Sequence, residues 1–267
     1  MKVESRCALK RDSLEYLRSK KNIINIIVAV ATIGLVLIMT KAFPKMMEMA
    51  MESSPEIFGN VGSITELAYS MFPQTVKEST GMFASQIISL YGLIVIIMSM
   101  DAIPKEIKQG KWIVPLGAGY TRKTLVTSKT VIYSIGMALP VTVSYVLYYL
   151  VGMIFLKDNY KFVDVILNSL IFGVAIMAIV SLTMLLSVAI KYSIMSAVIM
   201  FSVLFILPDI LNIFKVSKYL PTYLLNHIYA SSTDYRELLI PFTGLVIIEV
   251  ISYILAVKRV KNISVTR

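Results

Sequence analysis

The chain has 267 residues, of which 57% are hydrophobic and only 16% charged, and a net charge of +10. Soluble domains carry about 25% charged residues, and the apolar residues here gather in long runs, so an ordinary soluble fold is excluded in favour of several membrane-spanning helices. Beside such runs the basic excess fits Lys and Arg collecting on the cytoplasmic side rather than nucleic-acid binding, and one cysteine, Cys7, excludes a disulfide framework or a multi-cysteine metal site.

Residues 1–22 carry Lys2, Arg6, Lys10, Arg11, Arg18, Lys20 and Lys21. Val3, Cys7, Leu14 and Leu17 fall on one helical stripe with Lys10 in the gap. That pattern reads as a helix lying on the cytoplasmic membrane surface, with its basic stems beside the stripe. A solvated basic tail is the alternative. The basic segment and the apolar run after it are too long for a signal peptide, and no A-x-A site follows, so the first helix is expected to be retained.

The first span is expected at about 23–40, where 18 residues at ~1.5 Å each make roughly 27 Å. Residues 41–81 read as the longest outer loop, made acidic by Glu48, Glu52, Glu56, Glu66 and Glu78. Its Met46, Met47, Met49 and Met51 are thioethers of the kind that binds copper(I). Near a membrane, methionines more often serve as apolar packing.

The second span is expected at about 82–100, the third at 130–156 with a kink at Pro140. Tyr145, Tyr148 and Tyr149 are expected at the far interface, where aromatic residues concentrate. A short turn at 157–161 joins the third span antiparallel to a long fourth, 162–190. The fifth, 193–207, is short for a crossing before Pro208. Amphipathic pieces are expected over 209–239, and the sixth span, 240–257, stops at Lys258 and Arg259. The expected architecture is therefore a single transmembrane domain over 1–267. It is an all-α integral membrane protein of six transmembrane helices, with an N-terminal interfacial helix and short extracellular half-helices before the last span.

Six spans leave both termini on one side. Eighteen of the 26 Lys and Arg then fall on that side, which the positive-inside rule assigns to the cytoplasm.

Chemistry-bearing motifs are sparse. The single histidine, His227, reads as packed or interfacial, and no H-E-x-x-H, cysteine cluster or G-x-S-x-G elbow occurs. Gly117 to Thr124, GAGYTRKT, matches a phosphate-binding loop except that Arg122 replaces its second glycine. That glycine lets the backbone wrap phosphate, so nucleotide binding by this chain is not expected. Glu249 is the one acidic residue at the middle of an expected span. An ionisable group at that depth faces protein or water. It marks either a translocation path or proton relay, or a neutral, hydrogen-bonded structural carboxyl.

The stretch from Asp101 to Lys129 sits between the second and third spans. Pro104 suits a first helical turn, Lys105 to Gln109 are good helix formers, and Gly110 can close the turn. Trp112 and Ile113 are expected to anchor the segment at the membrane interface. It is either a basic loop held at anionic lipid or a short helix that a partner could grip.

The order Glu106-x-x-x-Gly110, then Pro115, then Thr121-Arg122 and Lys129 resembles the ABC-2 family of ABC-transporter membrane subunits. The surface helix, six spans, outer half-helices and basic stop are similar too; the large acidic first outer loop departs from the family. The resemblance implies a non-enzymatic permease subunit of the bacterial cytoplasmic membrane. It would pair with a second permease, identical or homologous, and dock two ATP-binding cassette ATPase subunits that hold ATP and Mg. Residues 101–116 would be the coupling helix, with Asp101, Lys105, Glu106, Lys108, Gly110 and Trp112 as ATPase-coupling residues. Arg122 and Lys129 would mark the cytoplasmic entry of span three. The family implies export, and a hydrophobic or amphipathic cargo (peptide, drug or lipid) is the expectation. The alternative is a stand-alone proton-coupled transporter using Glu249.

Overall fold

The computed structural model describes residues 2–53, 73–156, 160–190, 192–213 and 221–261. Helix is the regular structure among them, as apolar solvent demands of a chain that must satisfy its own backbone. Six helices are long and apolar enough to cross a membrane.

Helix α1 (Lys2–Leu17) precedes α2 (Lys20–Ser53), the first spanning helix. The second is α3 (Val76–Met100). Two single-turn helices follow, α4 (Pro104–Lys108) and α5 (Ile113–Gly117). Helices α6 (Arg122–Phe155) and α7 (Phe162–Ile190) then pack along each other as the expected hairpin. The fifth span is built from α8 (Ser193–Phe201), a π-helical turn (Ser202–Ile206) and α9 (Leu207–Ile213). After α10 (Tyr223–Tyr229) and a 3-10 turn, α11 (Leu239–Lys261) closes the bundle.

Several boundaries differ from the sequence reading: α6 starts at Arg122 rather than near 130, α11 runs on to Lys261, and three further differences have a visible cause. Helix α2 does not stop at Thr40 but runs through Lys41 and Pro44 to Ser53. Its Met-, Glu- and Ala-rich continuation is made of good helix formers. The outer loop is shortened accordingly, and its Glu56 and Glu66 lie outside the described residues, as do the side chains of Met47, Glu48, Met51 and Glu52. Helix α3 starts at Val76 rather than near residue 82, because the Thr75 hydroxyl accepts the Glu78 N–H at 3.2 Å. The Glu78 carboxylate in turn accepts the Gln74 N–H at 2.9 Å, a reciprocal cap of the Thr-x-x-Glu kind. The fifth span is not cut at Pro208. The Leu207 N–H reaches back five residues to the Ser202 carbonyl, and this wider turn carries the helix past the proline. The span becomes Ser193–Leu211, whose 19 residues extend about 28 Å.

Helix α7 is the central post. It packs against α3, α6, α8, α10 and α11, and from about Ile171 to Val188 it is covered on nearly every side, unlike a helix with one apolar stripe, while Val163 and Leu170 near its start face outward. Gly173, Ala175, Ala178 and Ser181 let its neighbours approach closely, which is how helices associate when lipid removes the hydrophobic drive. Its hydroxyls on Ser169, Thr183 and Ser187 bond to carbonyls of their own helix. At the rim, α2, α8 and α11 turn Ile27, Ile38, Ile194, Val198, Ile247 and Ile254 outward, the surface that acyl chains would cover.

The tyrosines expected at the far interface do lie toward that end of α6, but they face into the bundle. Tyr145, Tyr148 and Tyr149 are all buried. Tyr148 stacks on Phe83 with ring centroids 4.3 Å apart, and Tyr149 donates to the Tyr160 carbonyl at 2.9 Å. An aromatic ring with a polar tip suits either setting, and here the tips of Tyr148 and Tyr149 find partners within the protein, on Ser79 and the Tyr160 carbonyl.

Helix α6 runs unbroken through Pro140. Proline lacks an N–H, so the carbonyl four residues earlier, on Gly136, loses its helical donor. Asn25 of α2 supplies one at 3.1 Å, and Tyr91 of α3 donates to the adjacent Met137 carbonyl at 2.6 Å. The break in α6 is thereby used to key α2 and α3 onto it. Replacing Asn25 by Leu is expected to cost about 1–2 kcal/mol by stranding a buried carbonyl. Adding Pro140→Ala, which restores the helical donor, is expected to recover part of that loss. Thermal unfolding in detergent would read both, and an additive double variant would refute the exchange.

Candidate coupling site

The segment between α3 and α6 is two single turns rather than one helix over 101–116. Gly110 ends the first, with φ +69°. The Lys111 N–H bonds to the Glu106 carbonyl and the Gly110 N–H to that of Ile107, both at 3.1 Å. Gly119, with φ +91°, ends the second, with Tyr120 bonding back to Pro115 and Gly119 to Leu116. Both are glycine-terminated helix closures, and glycine adopts that left-handed backbone without strain. Pro104 opens the first turn as expected.

This double turn has a buried inner side and an exposed outer side. Trp112 is 1% exposed, so it is not the interfacial anchor expected of it. Its indole N–H donates to the Glu106 carboxylate at 3.1 Å, a partner that a buried Trp requires. The other Glu106 oxygen pairs with the ammonium of Lys129, which reaches down from α6. Lys129 also meets Glu15 of α1 at 2.9 Å and lies 5.2 Å from the centre of the Tyr133 ring. One ammonium thus ties together α1, α4 and α6, while Trp112 adds the start of α5.

Glu15 is partly exposed, and a second lysine, Lys111, stands 3.7 Å from it. Burial alone would raise its carboxyl pKa. The hydrogen bond and charge of Lys129 outweigh that and hold it below the ordinary value.

Helix α1 is docked, not a solvated tail. Ala8, Asp12 and Tyr16 form its buried face, and the Ser128 hydroxyl donates to Asp12, which Arg11 also holds at 2.7 Å. The Tyr16 ring occupies the space a side chain on Gly136 would need and meets Tyr133 edge-on at 5.1 Å. The stripe containing Cys7, Leu14 and Leu17 faces outward, as a helix lying in a membrane surface requires.

The start of α6 is tied down twice. Thr121 caps it, accepting the Thr124 N–H at 3.2 Å. The Thr121 N–H donates to the Glu4 carboxylate at 2.7 Å. That bond holds the Glu4 carboxyl below its usual pKa. The phosphate-loop near miss therefore lies against a carboxylate from α1. The Arg122 guanidinium donates to the carbonyls of Val260 and Lys261, at 2.9 and 2.7 Å, a cation on the last turn of α11. These contacts bring the beginning and end of the described chain to one end of the bundle, as six crossings require.

The residues singled out from sequence separate into two groups. Glu106, Trp112 and Lys129 form the buried clamp, and Gly110 shapes it. Lys105 and Lys108 point outward with Gln109, Lys111 and Val114, the last 79% exposed. Asp101, half-buried, follows α3 and accepts the Lys105 N–H through its carbonyl at 3.1 Å. Arg122 joins α6 to α11. Glu249 stands apart, deep on α11, accepting a hydrogen bond from Ser181 of α7. Sequence reasoning missed Glu4, Asp12 and Glu15. Their signal was the 8–12–15–16 spacing, a polar helical face opposite the apolar stripe.

His227, at the far end, is buried with its ring 5.3 Å from that of Tyr235. Burial lowers its imidazole pKa, against the opposing charges of Asp234 and Glu237.

A family model described as ABC-2 family transporter protein matches residues 8–258. A comparison with curated proteins matched none.

Proposed function

Because the chain belongs to the ABC-2 transporter family, we propose that it is the membrane-spanning permease subunit of an ATP-driven exporter. The observation that carries the reading is the two-sided double turn. Lys105, Lys108 and Val114 face outward, and Glu106 and Trp112 are locked behind them to Lys129. A partner pressing on such an element moves α1 and α6 with it, whereas a loop without the clamp would dissipate the displacement.

Two ATP-binding cassette ATPase subunits press on this face in a pair of permeases, identical or homologous. ATP and Mg are bound by those partners. Both termini are cytoplasmic, in keeping with the bias of 18 of the 26 basic residues to that end. The cargo is hydrophobic or amphipathic and moves outward across the bacterial cytoplasmic membrane. Family membership together with the clamp favours this reading over a stand-alone proton-coupled carrier built on Glu249.

Co-expression with a candidate ATP-binding cassette ATPase from the same genome tests the proposal. The wild-type permease is expected to carry that ATPase through affinity purification. The surface variant Lys105→Glu/Lys108→Glu/Val114→Asp changes exposed positions only and is expected to lose it. Equal recovery of the ATPase with both proteins would overturn the coupling role.

A further inference from the structure

A groove of about 440 Å³ opens between α6, α7 and α11. That volume falls within the range of small-molecule sites. Most of its wall is apolar, including Met177, Phe242 and Val246, but four residues with oxygen-bearing side chains line it: Thr130, Ser134, Ser181 and Glu249. Ser181 donates to one Glu249 oxygen. The hydroxyls of Thr130 and Ser134 have no hydrogen-bond partner although the residues are only 8% and 6% exposed.

Those two hydroxyls are exceptional in this protein. Ser and Thr inside a helix usually bond back to a carbonyl of their own turn. Ser128, Thr142, Ser144, Ser169, Thr183 and Ser187 all do so. Buried hydroxyls without a partner are costly, more so where no water competes. Their presence beside a carboxyl indicates an occupant that donates hydrogen bonds.

The donor set narrows the class. Among the described residues no ion pair reaches Glu249, so a cation is not supplied by the protein there. An alkylammonium head offers three donors and no acceptor, matching the oxygens of Glu249, Thr130 and Ser134. An anionic head would meet the carboxyl instead. The wall and the mouth, flanked by outward-facing Val131, Ile135 and Val250, suit an apolar tail. A second groove, of about 300 Å³ between α3 and α8, is lined by apolar residues from Leu93 to Phe201 and offers no such recognition.

We propose that the α6–α7–α11 groove is an intramembrane site for amphiphilic amines, with the ammonium held by Glu249, Thr130 and Ser134. Thr130 is about two turns inside α6 from its Arg122 end. The groove therefore runs from near the Arg122 end of α6, at Thr130, to about the middle of α11, at Glu249, and an amphiphile reaches it sideways from the membrane. Lys129 of the clamp is the residue next to Thr130, so the clamp and the groove share one turn of α6. The proposal names a cargo class for the transport reading above and rests on it for that role. Binding itself needs neither ATPase nor transport, and a test of binding alone keeps the two separable.

The probe is a diazirine-bearing dodecylamine, photolysed with the full-length protein in nanodiscs and mapped by mass spectrometry. Labelling is expected on the peptides holding Thr130–Ile135 and Val246–Val250. Excess dodecylamine is expected to compete, and dodecanol, with the same tail and no charge, is not. Glu249→Gln is expected to reduce labelling about tenfold and Glu249→Asp to retain most of it. Thr130→Ala/Ser134→Ala is expected to reduce it about threefold. Should Glu249→Gln fail to fold, the dodecanol comparison on the wild type still decides. Equal competition by dodecanol, undiminished labelling of a folded Glu249→Gln, or labelling spread over all outward-facing helices would overturn the proposal. A wild-type protein that carries no ATPase through purification but is labelled as expected would refute the coupling reading and leave the amine site standing.

Discussion

Replacing Lys129 by Met is expected to cost about 3–5 kcal/mol of stability, the usual penalty for stranding one partner of a buried ion pair. Lys129 is 1% exposed and, among the described residues, is the one cation in an ion pair with Glu106. Without it, two carboxylates are left facing one shared space, and Glu106 is nearly buried there. Glu106 would keep the Trp112 indole N–H, a single neutral donor that does not offset a buried charge. Adding Glu106→Gln removes the stranded charge and retains an acceptor for Trp112. The double variant is therefore expected to recover most of the loss, since a neutral pair of similar volume is often no worse than the ion pair it replaces. Denaturant or thermal unfolding in detergent measures both. A Lys129→Met protein as stable as the wild type, or a double variant worse than either single one, would show that the clamp is not held by this pair. The functional consequence separates the clamp from the docking face. Lys129→Met leaves Lys105, Lys108 and Val114 in place, so an ATPase is expected to bind still while its hydrolysis no longer drives transport.

The spans were legible because apolar runs of bilayer length have few other uses. Their order, the hairpin of α6 and α7, the opening of α4 at Pro104 and its closure at Gly110 all follow from residues whose physical preference is local. What sequence did not yield are features decided between elements. Trp112, Tyr145 and Tyr148 have the same composition signal whether they lie in a membrane interface or within a bundle; the partners Glu106 and Ser79 come from elsewhere in the chain. Lys129 resembled one more basic residue at a span entrance, yet its counter-charges come from α1 and α4. Asn25 carries no local signal of its partner, because its bond to the Gly136 carbonyl is set by Pro140 on another helix. Pro208 was given too much weight as a terminator, because a π-helical turn can absorb it without ending the span. In each case a residue with two physical uses was assigned the one visible in its own neighbourhood.

Gly81→Ala is expected to cost about 2–3 kcal/mol, although alanine is ordinarily the better helix former. A Cβ on Gly81 would collide with the backbone carbonyl of Tyr229, at the end of α10. A side chain in the way could rotate, but a backbone carbonyl moves only with its helix, so the strain is of the overpacking kind. The junction has little slack. The Ser231 backbone has φ 45°, and its hydroxyl lies 3.2 Å from that of Thr80, the neighbour of Gly81. Asn168 of α7 donates to the Ser232 carbonyl at 3.2 Å, fixing the same segment from the other side. Pushing α10 off α3 therefore breaks bonds to two spanning helices together. Gly92→Ala is the internal control. A Cβ there meets only a methyl of Ile88 at 3.8 Å, an ordinary contact, and the substitution is expected to gain about 0.5–1 kcal/mol from helix propensity. Unfolding midpoints of the two variants in the same detergent should diverge in opposite directions from the wild type. A Gly81→Ala protein that matches Gly92→Ala would mean that α10 does not rest on α3, and that the far end of the bundle is closed by something other than this contact.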